Sequence, residues 1–278
     1  MQRQSVIVAA KRTPVGAFQG KLSPVSAPKL GAIAIKALID ETGIDISHID
    51  EVILGNVLSA GLGQAPARQA AIYAGLPNTV EALTVNKMCG SGLKAVMLAD
   101  QVIRGGDADV VVAGGMESMS NAPYLLQNAR TGQRLGHGKM IDSMIHDGLW
   151  DAYNDTHMGN CAEMLSKDRN YTREAQDEFA ISSYKRAQTA QAEGVFDSEI
   201  VPVEIPQRKG DPLVVFEDEE PGKARFDKIP TLRPAFEKEG AITAANASKL
   251  NDGAAAVLVM SEEKANELGL TAIARIGA

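Results

Sequence analysis

Short apolar runs separated by helix-forming segments are the feature that most constrains the fold of this chain. Ser5 to Ala10, Val52 to Val57 and Asp109 to Ala113 read as buried strands. Between them, Leu30 to Ile39 and Ala65 to Ala74 carry apolar residues at helical spacing. Strands that are apolar on both faces need cover on both faces, so the pattern predicts an α/β fold in which helices cover a parallel or mixed sheet.

Composition excludes several classes of function. The 278 residues are 45% hydrophobic, which is enough to build a sizeable core, and the formal charge of −7 argues against nucleic acid as a main partner. No apolar run is long enough to cross a membrane, and Lys11 and Arg12 follow the first apolar run, whereas a signal peptide has its basic residues before it. The two cysteines form no metal-binding or redox pair, so we expect a reducing, cytoplasmic location.

Cys89 is the candidate nucleophile. It follows a β-prone run that ends at Val85 and precedes a helix-prone run from Leu93 to Ile103, which predicts a strand-to-helix turn. A thiol in the first turn of a helix faces unpaired N–H groups and the positive end of the helix dipole, and both favour the thiolate. Gly90 and Gly92 would leave room for a substrate carbonyl beside the sulfur. The alternative is a cysteine that merely packs at a helix start.

The pattern changes after about Ser120. Residues 121–150 show no steady periodicity, whereas Thr172 caps a predicted helix that continues to Ala192. Ile200 to Ile205 reads as a short strand, and buried-strand character returns at Val257 to Met260. Residues 121–249 are therefore interpreted as an insertion between two parts of one α/β layer, residues 1–120 and 250–278.

Four motifs, in order along the chain, resemble those of the thiolase family. They are Val8-Ala9-Ala10-Lys11-Arg12-Thr13-Pro14-Val15-Gly16, Asn86-Lys87-Met88-Cys89-Gly90-Ser91-Gly92, Ala113-Gly114-Gly115-Met116-Glu117-Ser118-Met119-Ser120 and Asn246-Ala247-Ser248-Lys249-Leu250-Asn251-Asp252-Gly253-Ala254-Ala255-Ala256. The resemblance covers essentially the whole chain. It implies a layered thiolase fold with an inserted loop domain at 121–249, and a second, similar half that has no counterpart in these residues.

The resemblance implies an acetyl-CoA C-acetyltransferase, which joins two acetyl-CoA molecules to acetoacetyl-CoA through an acyl-cysteine at Cys89. The family's histidine in Gly-His-Pro, its base cysteine in Cys-x-Gly and its asparagine in Asn-Glu-Ala-Phe do not occur in the sequence. Cys161 does not match the base motif, so we expect the chain alone not to turn over. The alternatives are a broad-chain 3-ketoacyl-CoA thiolase of fatty-acid oxidation and a non-catalytic CoA-binding or assembly fragment.

Substrate-binding residues are also implied by the resemblance. His157 and Met158 match a segment that contacts pantetheine, and the methionine is typical of a short acyl pocket. Ser248 matches a serine on the pantetheine arm. The basic residues Lys223, Arg225 and Lys228 lie where the family binds the nucleotide of coenzyme A. Ordinary packing of His157 and Met158, and a solvated run of charge at the basic residues, are the alternatives.

Family members of the mitochondrial type bind potassium through a tyrosine and several backbone carbonyls. Tyr184 and the backbone of Ala244, Ala245 and Ala247 resemble that set of ligands. Tyr184 could equally be an ordinary half-buried helix residue. No tightly bound cofactor is expected; coenzyme A thioesters are substrates. The family also implies a homo-oligomer, a dimer or a tetramer, with a role in lipid metabolism, and an exposed apolar face where the second half would pack.

Overall fold

The structure, a computed structural model, describes residues 3–277. The strands, in chain order, are β1 (Ser5–Arg12), β2 (Gly16–Ala17), β3 (Glu51–Gly55), β4 (Glu81–Val85), β5 (Val110–Ser118), β6 (Tyr124–Leu125), β7 (Ile141–Asp142), β8 (Trp150–Asp151), β9 (Thr156–His157), β10 (Val203–Ile205), β11 (Leu213–Val215), β12 (Asn251–Ser261) and β13 (Ala274–Arg275). The α-helices are α1 (Ala27–Thr42), α2 (Pro66–Tyr73), α3 (Ser91–Gly105), α4 (Met158–Arg169), α5 (Arg173–Ala192), α6 (Glu219–Lys223) and α7 (Glu262–Glu267).

The chain forms two compact units. The first contains residues up to Asn121, the segment Glu199–Glu217 and the residues from Asn251 onward; the second contains Ala122–Ser198 and Asp218–Leu250. The prediction that 121–249 is one insertion therefore differs from the structure at 199–217. The reason is the β10–β11 hairpin, whose Val203, Ile205 and Val215 side chains are buried in the core of the first unit.

A mixed sheet organises the first unit. Its strand order is β13-β1-β12-β5-β3-β4, with the short β2 paired to β12. Strands β3, β4 and β5 are parallel, whereas β12 runs antiparallel to both β1 and β5. The predicted α/β class, with a mixed sheet covered by helices, is confirmed.

The sheet has helices on both faces because successive residues of a strand point to opposite faces. Val110 and Val112 of β5 pack in the core cluster that contains α1 and α2, whereas Val111 and Ala113 pack in the cluster that contains α3. The side chains of a strand point alternately to the two faces of a sheet, so a continuous apolar run needs a helix on each face. The β5 run satisfies that requirement.

Strand β5 is longer than predicted. The predicted run ended at Ala113, before the double glycine Gly114-Gly115, but the strand continues to Ser118. A Cβ atom on Gly114 would lie 2.1 Å from the carbonyl oxygen of Ala255 on β12. The glycine therefore permits two strands to approach closely and does not mark a turn. Strand β3, by contrast, ends at Gly55, before the predicted Val57.

The second unit contains α4, α5, α6 and two small hairpins, β6–β7 and β8–β9. Its buried residues include polar ones: the exposed fraction is 1% for Glu163, 5% for Asp177 and 0% for Thr243. A buried carboxylate is tolerated when it accepts several hydrogen bonds, so this unit depends on a polar network as well as on apolar packing. Within residues 3–277, no helix combines the length and apolar character needed to span a bilayer.

Candidate active site and coenzyme-binding residues

Cys89 is exposed and lies in the turn between β4 and α3. Gly90 is the N-cap of α3, so the cysteine precedes the helix, although the sequence placed it in the first helical turn. The backbone explains the difference, because Met88 has a φ of 51°, which takes the chain out of the helical path. A non-glycine residue in the left-handed region costs about 1–3 kcal/mol, so the surrounding contacts must hold the turn in this conformation.

Ser91 supplies two of these contacts. Its hydroxyl accepts a hydrogen bond from the Lys87 N–H at 2.8 Å and donates one to the Met88 carbonyl at 2.6 Å. The Asn86 side chain accepts from the Met88 N–H at 2.9 Å. Both flanks of the strained residue are thereby fixed. Ser91 belongs to the second of the four motifs, but the motif alone predicts no role for its hydroxyl.

Close backbone packing supports the start of α3. A Cβ atom on Gly55, at the end of β3, would lie 2.6 Å from the Ser91 Cβ and 2.8 Å from the Gly92 nitrogen. Gly92 itself faces β5, and its nearest potential contact is the Gly114 carbonyl oxygen at 3.7 Å. The expectation that Gly92 opens space beside the sulfur is therefore wrong: its missing side chain faces the sheet.

A half-buried carboxylate joins the carboxyl ends of β3 and β5. Glu117 accepts hydrogen bonds from the Asn56 side chain at 2.8 Å and from the Val57 N–H at 2.8 Å. Burial raises the pKa of the Glu117 carboxyl, against the opposing effect of these hydrogen bonds. The Asn56 N–H donates to the carbonyl of Val85, at the end of β4. These hydrogen bonds therefore hold the end of β4, where the turn that carries Cys89 begins.

All the predicted binding residues belong to the second unit, whereas Cys89 belongs to the first. His157 is the N-cap of α4, and its Nδ1 accepts a hydrogen bond from the Gly159 N–H at 2.9 Å. An accepting Nδ1 requires the neutral tautomer that carries its proton on Nε2. The ring stacks on Phe236 with 5.0 Å between centroids, and Met158 follows it as a partly exposed residue.

The three basic candidates line one cavity of about 260 Å³, in which Lys223, Arg225 and Lys228 accompany Tyr184, Ala244 and Ala245. Their carboxylate partners are distant, with Lys223 at 3.8 Å from Glu220 and Lys228 at 3.9 Å from Asp227. Such long, exposed ion pairs are weak. Four cationic side chains and one carboxylate, that of Glu220, line the cavity, which therefore keeps a net positive charge.

Ser248 lies in a neighbouring cavity of about 750 Å³, which Tyr184 and Ala247 also line. The Tyr184 hydroxyl donates to the Ala245 carbonyl at 3.3 Å. Lys249, for which the sequence predicts no role, donates to the Ala244 carbonyl. The structure therefore places Tyr184 at the Ala245 carbonyl and a lysine ammonium at the Ala244 carbonyl, while Ala247 lines the larger cavity.

Two buried carboxylates hold the segment that carries these carbonyls. Glu163 accepts from the N–H groups of Ala241 and Ile242, each at 2.9 Å. Asp177 accepts from the Asn246 side chain at 3.0 Å. No sequence pattern indicates either role, because both acids lie at ordinary helix positions far from 241–246 in the chain. Between residues 3 and 277, no group of three or more histidine, cysteine or acidic side chains is arranged to hold a metal ion.

Comparison with known proteins agrees with this geometry. The family described as "Thiolase, N-terminal domain" matches residues 5–263. An "Acetyl-CoA acetyltransferase" of Pseudomonas aeruginosa and one of Cupriavidus necator are each 58% identical over 272 residues, covering 98% of this chain and 69% of the relative. A "Probable acetyl-CoA acyltransferase" of Staphylococcus aureus is 55% identical over 270 residues, or 97% of this chain and 69% of that protein. The chain therefore belongs to the thiolase family of acyltransferases.

Proposed function

We propose that this chain is the nucleophile-bearing part of an acetyl-CoA C-acetyltransferase, which reversibly condenses two acetyl-CoA molecules to acetoacetyl-CoA. The Cys89 sulfur attacks the thioester carbonyl of one acetyl-CoA; a C–S bond to the enzyme forms as the C–S bond to coenzyme A breaks, and the coenzyme A thiol leaves with a proton. The α-carbon of a second, deprotonated acetyl-CoA then displaces the acyl group from Cys89.

The observation that carries this proposal is the exposed Cys89 in a turn fixed by Ser91 and by the end of β3. An accessible thiol held immediately before a helix meets the requirement for a positioned nucleophile. The Cys89 N–H is the candidate donor to the oxyanion, because the next two N–H groups, those of Gly90 and Ser91, already donate to carbonyls of the turn.

Intact-mass spectrometry after exposure to acetyl-CoA tests the first step. We expect one acetyl group on the wild-type chain, located on Cys89 by peptide mapping, and none on the Cys89→Ser variant. Cys161→Ser is the matched control, since it removes the only other cysteine and should acetylate normally. Acetylation of Cys161, or no adduct on a folded chain, would refute the assignment of the nucleophile.

Coenzyme A binding is proposed for the second unit. Lys223, Arg225 and Lys228 would contact the phosphates of the coenzyme, because their shared cavity is positive in an otherwise acidic protein. His157, Met158 and Ser248 would contact the pantetheine arm and the acyl group. Titration calorimetry with coenzyme A tests this assignment: Lys228→Ala should weaken binding and reduce its salt dependence, whereas Lys238→Ala, a change at an exposed lysine outside that cavity, should not.

Three narrower proposals follow from the family. Residues 1–278 alone should stop at the acyl-enzyme, because the Gly-His-Pro, Cys-x-Gly and Asn-Glu-Ala-Phe motifs do not occur in them. Thiolysis of acetoacetyl-CoA at an ordinary rate would contradict this.

We expect a cytoplasmic homo-oligomer, up to a tetramer, and light scattering can test the oligomeric state. A preference for longer acyl chains would favour the broad-chain 3-ketoacyl-CoA thiolase, against which Met158 weighs.

The predicted potassium site is separable from acyl transfer. The resemblance predicts Tyr184 and the carbonyls of Ala244, Ala245 and Ala247 as its ligands, and an enzyme that used the ion would respond when potassium replaces sodium. The side chain of Lys249 bears directly on this prediction.

A further inference from the structure

The ammonium of Lys249 lies among the residues, Tyr184 and the alanine carbonyls, that were expected to bind a free potassium ion. Lys249 Nζ donates to the Ala244 carbonyl and lies 5.7 Å from the centroid of the Tyr184 ring. The Tyr184 hydroxyl donates to the next carbonyl along the chain, that of Ala245. The ammonium is thus near both a carbonyl oxygen and an aromatic face, two groups that attract a cation without carrying a formal charge.

The surroundings of this ammonium disfavour a second cation. Lys249 lines the same cavity as Lys223, Arg225 and Lys228, so four positively charged side chains share that space with one carboxylate, that of Glu220. A free potassium ion would meet the net positive charge of this lining, and the Ala244 oxygen that it needs already accepts a hydrogen bond from Lys249. Potassium therefore does not fit the residues present.

We propose that Lys249 is a tethered cation: its ammonium takes the place of a free monovalent ion and holds the 244–245 carbonyls beside Tyr184. The segment that it holds also carries Ser248, the proposed pantetheine contact. A charge supplied by the chain is present at every salt concentration, so the protein should be indifferent to the choice of monovalent cation. This inference does not depend on acyl transfer, because it concerns a contact of the folded chain.

The alternative is that Lys249 is an ordinary surface lysine. Its half-buried position, its carbonyl contact and its place over the Tyr184 ring argue against that reading. Lys185 offers a comparison within the same unit, since its Nζ also lies 5.7 Å from an aromatic centroid, that of Phe226, but it does not line the cavity that contains the carbonyls.

Thermal unfolding in KCl and in NaCl of equal ionic strength tests the proposal without any assay of activity. The wild-type Tm should be the same in both salts. Lys249→Ala should unfold at a lower temperature in NaCl, by roughly 2–4 °C, the shift expected for one lost contact of ordinary strength in a chain of this size. Added KCl should restore that Tm with a saturable dependence, and Lys249→Arg should stay indifferent to the salt.

Lys185→Ala is the matched control and should gain no response to potassium. A saturable, potassium-specific rise in the wild-type Tm would overturn the proposal, because it would show a site open to the free ion. A Lys249→Ala variant that potassium does not restore would overturn it as well. If that variant fails to fold, Lys249→Met retains the apolar stem and is measured in its place. Cys89 acetylation, measured on the same samples, shows separately whether the proposed function holds.

Discussion

Gly55→Ala should displace the start of α3, which follows the nucleophile. The added Cβ would lie 2.6 Å from the Ser91 Cβ, 2.7 Å from the Ser91 carbonyl carbon and 2.8 Å from the Gly92 nitrogen. Ordinary contact begins at 3.4 Å, so the backbone would have to separate by about 0.8 Å (3.4 − 2.6). Two of the three atoms belong to the main chain, so a change of rotamer cannot relieve the clash. We expect a loss of about 1–3 kcal/mol in the free energy of unfolding.

Gly92→Ala is the matched control, one helix position from the clash. Its Cβ would meet nothing closer than 3.7 Å, and alanine is favoured over glycine inside a helix by about 1 kcal/mol. Urea unfolding at 25 °C, followed by circular dichroism, measures both variants, and the alkylation rate of Cys89 reports whether the turn has moved. The reasoning would be refuted if Gly55→Ala were as stable as wild type, or if Gly92→Ala were the more damaging change.

Three further substitutions test other parts of the structure. Glu163→Gln should lower the unfolding free energy by about 2 kcal/mol in a denaturant titration, because a charged acceptor of two backbone N–H groups becomes an amide. Burial, and then the charge of Glu81, raise the pKa of the Glu51 carboxyl. The stability that protonated Glu51 contributes is therefore lost as the pH rises through that pKa. Glu51→Gln should stabilise the chain more at pH 7 than at pH 4, and unfolding measured at both pH values would check this. Ser91→Ala should cost about 1–3 kcal/mol and slow the acetylation of Cys89, measured by mass spectrometry.

Local pattern was sufficient for the layers of the fold. Continuous apolar runs predicted the central strands, because a run such as that of β5 has to pack against helices on both faces. Capping chemistry predicted α5, and the Thr172 side chain accepts from the Ala175 N–H in the structure. These features depend on neighbours within a few positions of the chain, which is why the sequence reveals them.

Features that depend on distant partners were predicted less well. The role of Gly114 depends on Ala255, and the position of 199–217 depends on burial against strands far away in the chain. Glycine at a turn and glycine at a close approach of two strands look alike in sequence. The Cys89 turn was located correctly between strand and helix, but the conformation of Met88 places the thiol outside the first helical turn.

The polar network of the second unit has no sequence pattern at all. Glu163 and Asp177 have nothing to distinguish them from solvated acids on a helix, and only the folded chain brings them to residues 241–246. Lys249 is similar, because the sequence does not distinguish it from the exposed lysines that are usual in a polar segment. Their roles follow from burial and contact geometry, which a single sequence does not contain.

The position of β12 has a consequence for synthesis of the protein. This strand lies between β1 and β5, yet it is the last long strand of residues 3–277, and the second unit is translated before it. Until residue 261 has been made, β1 and β5 lack the partner that joins them, and each has an unpaired edge. Unpaired edges of this kind promote association between chains, and pairing across such a sequence distance is slow. The nascent polypeptide therefore contains the nucleophile turn long before it can complete the sheet that supports it.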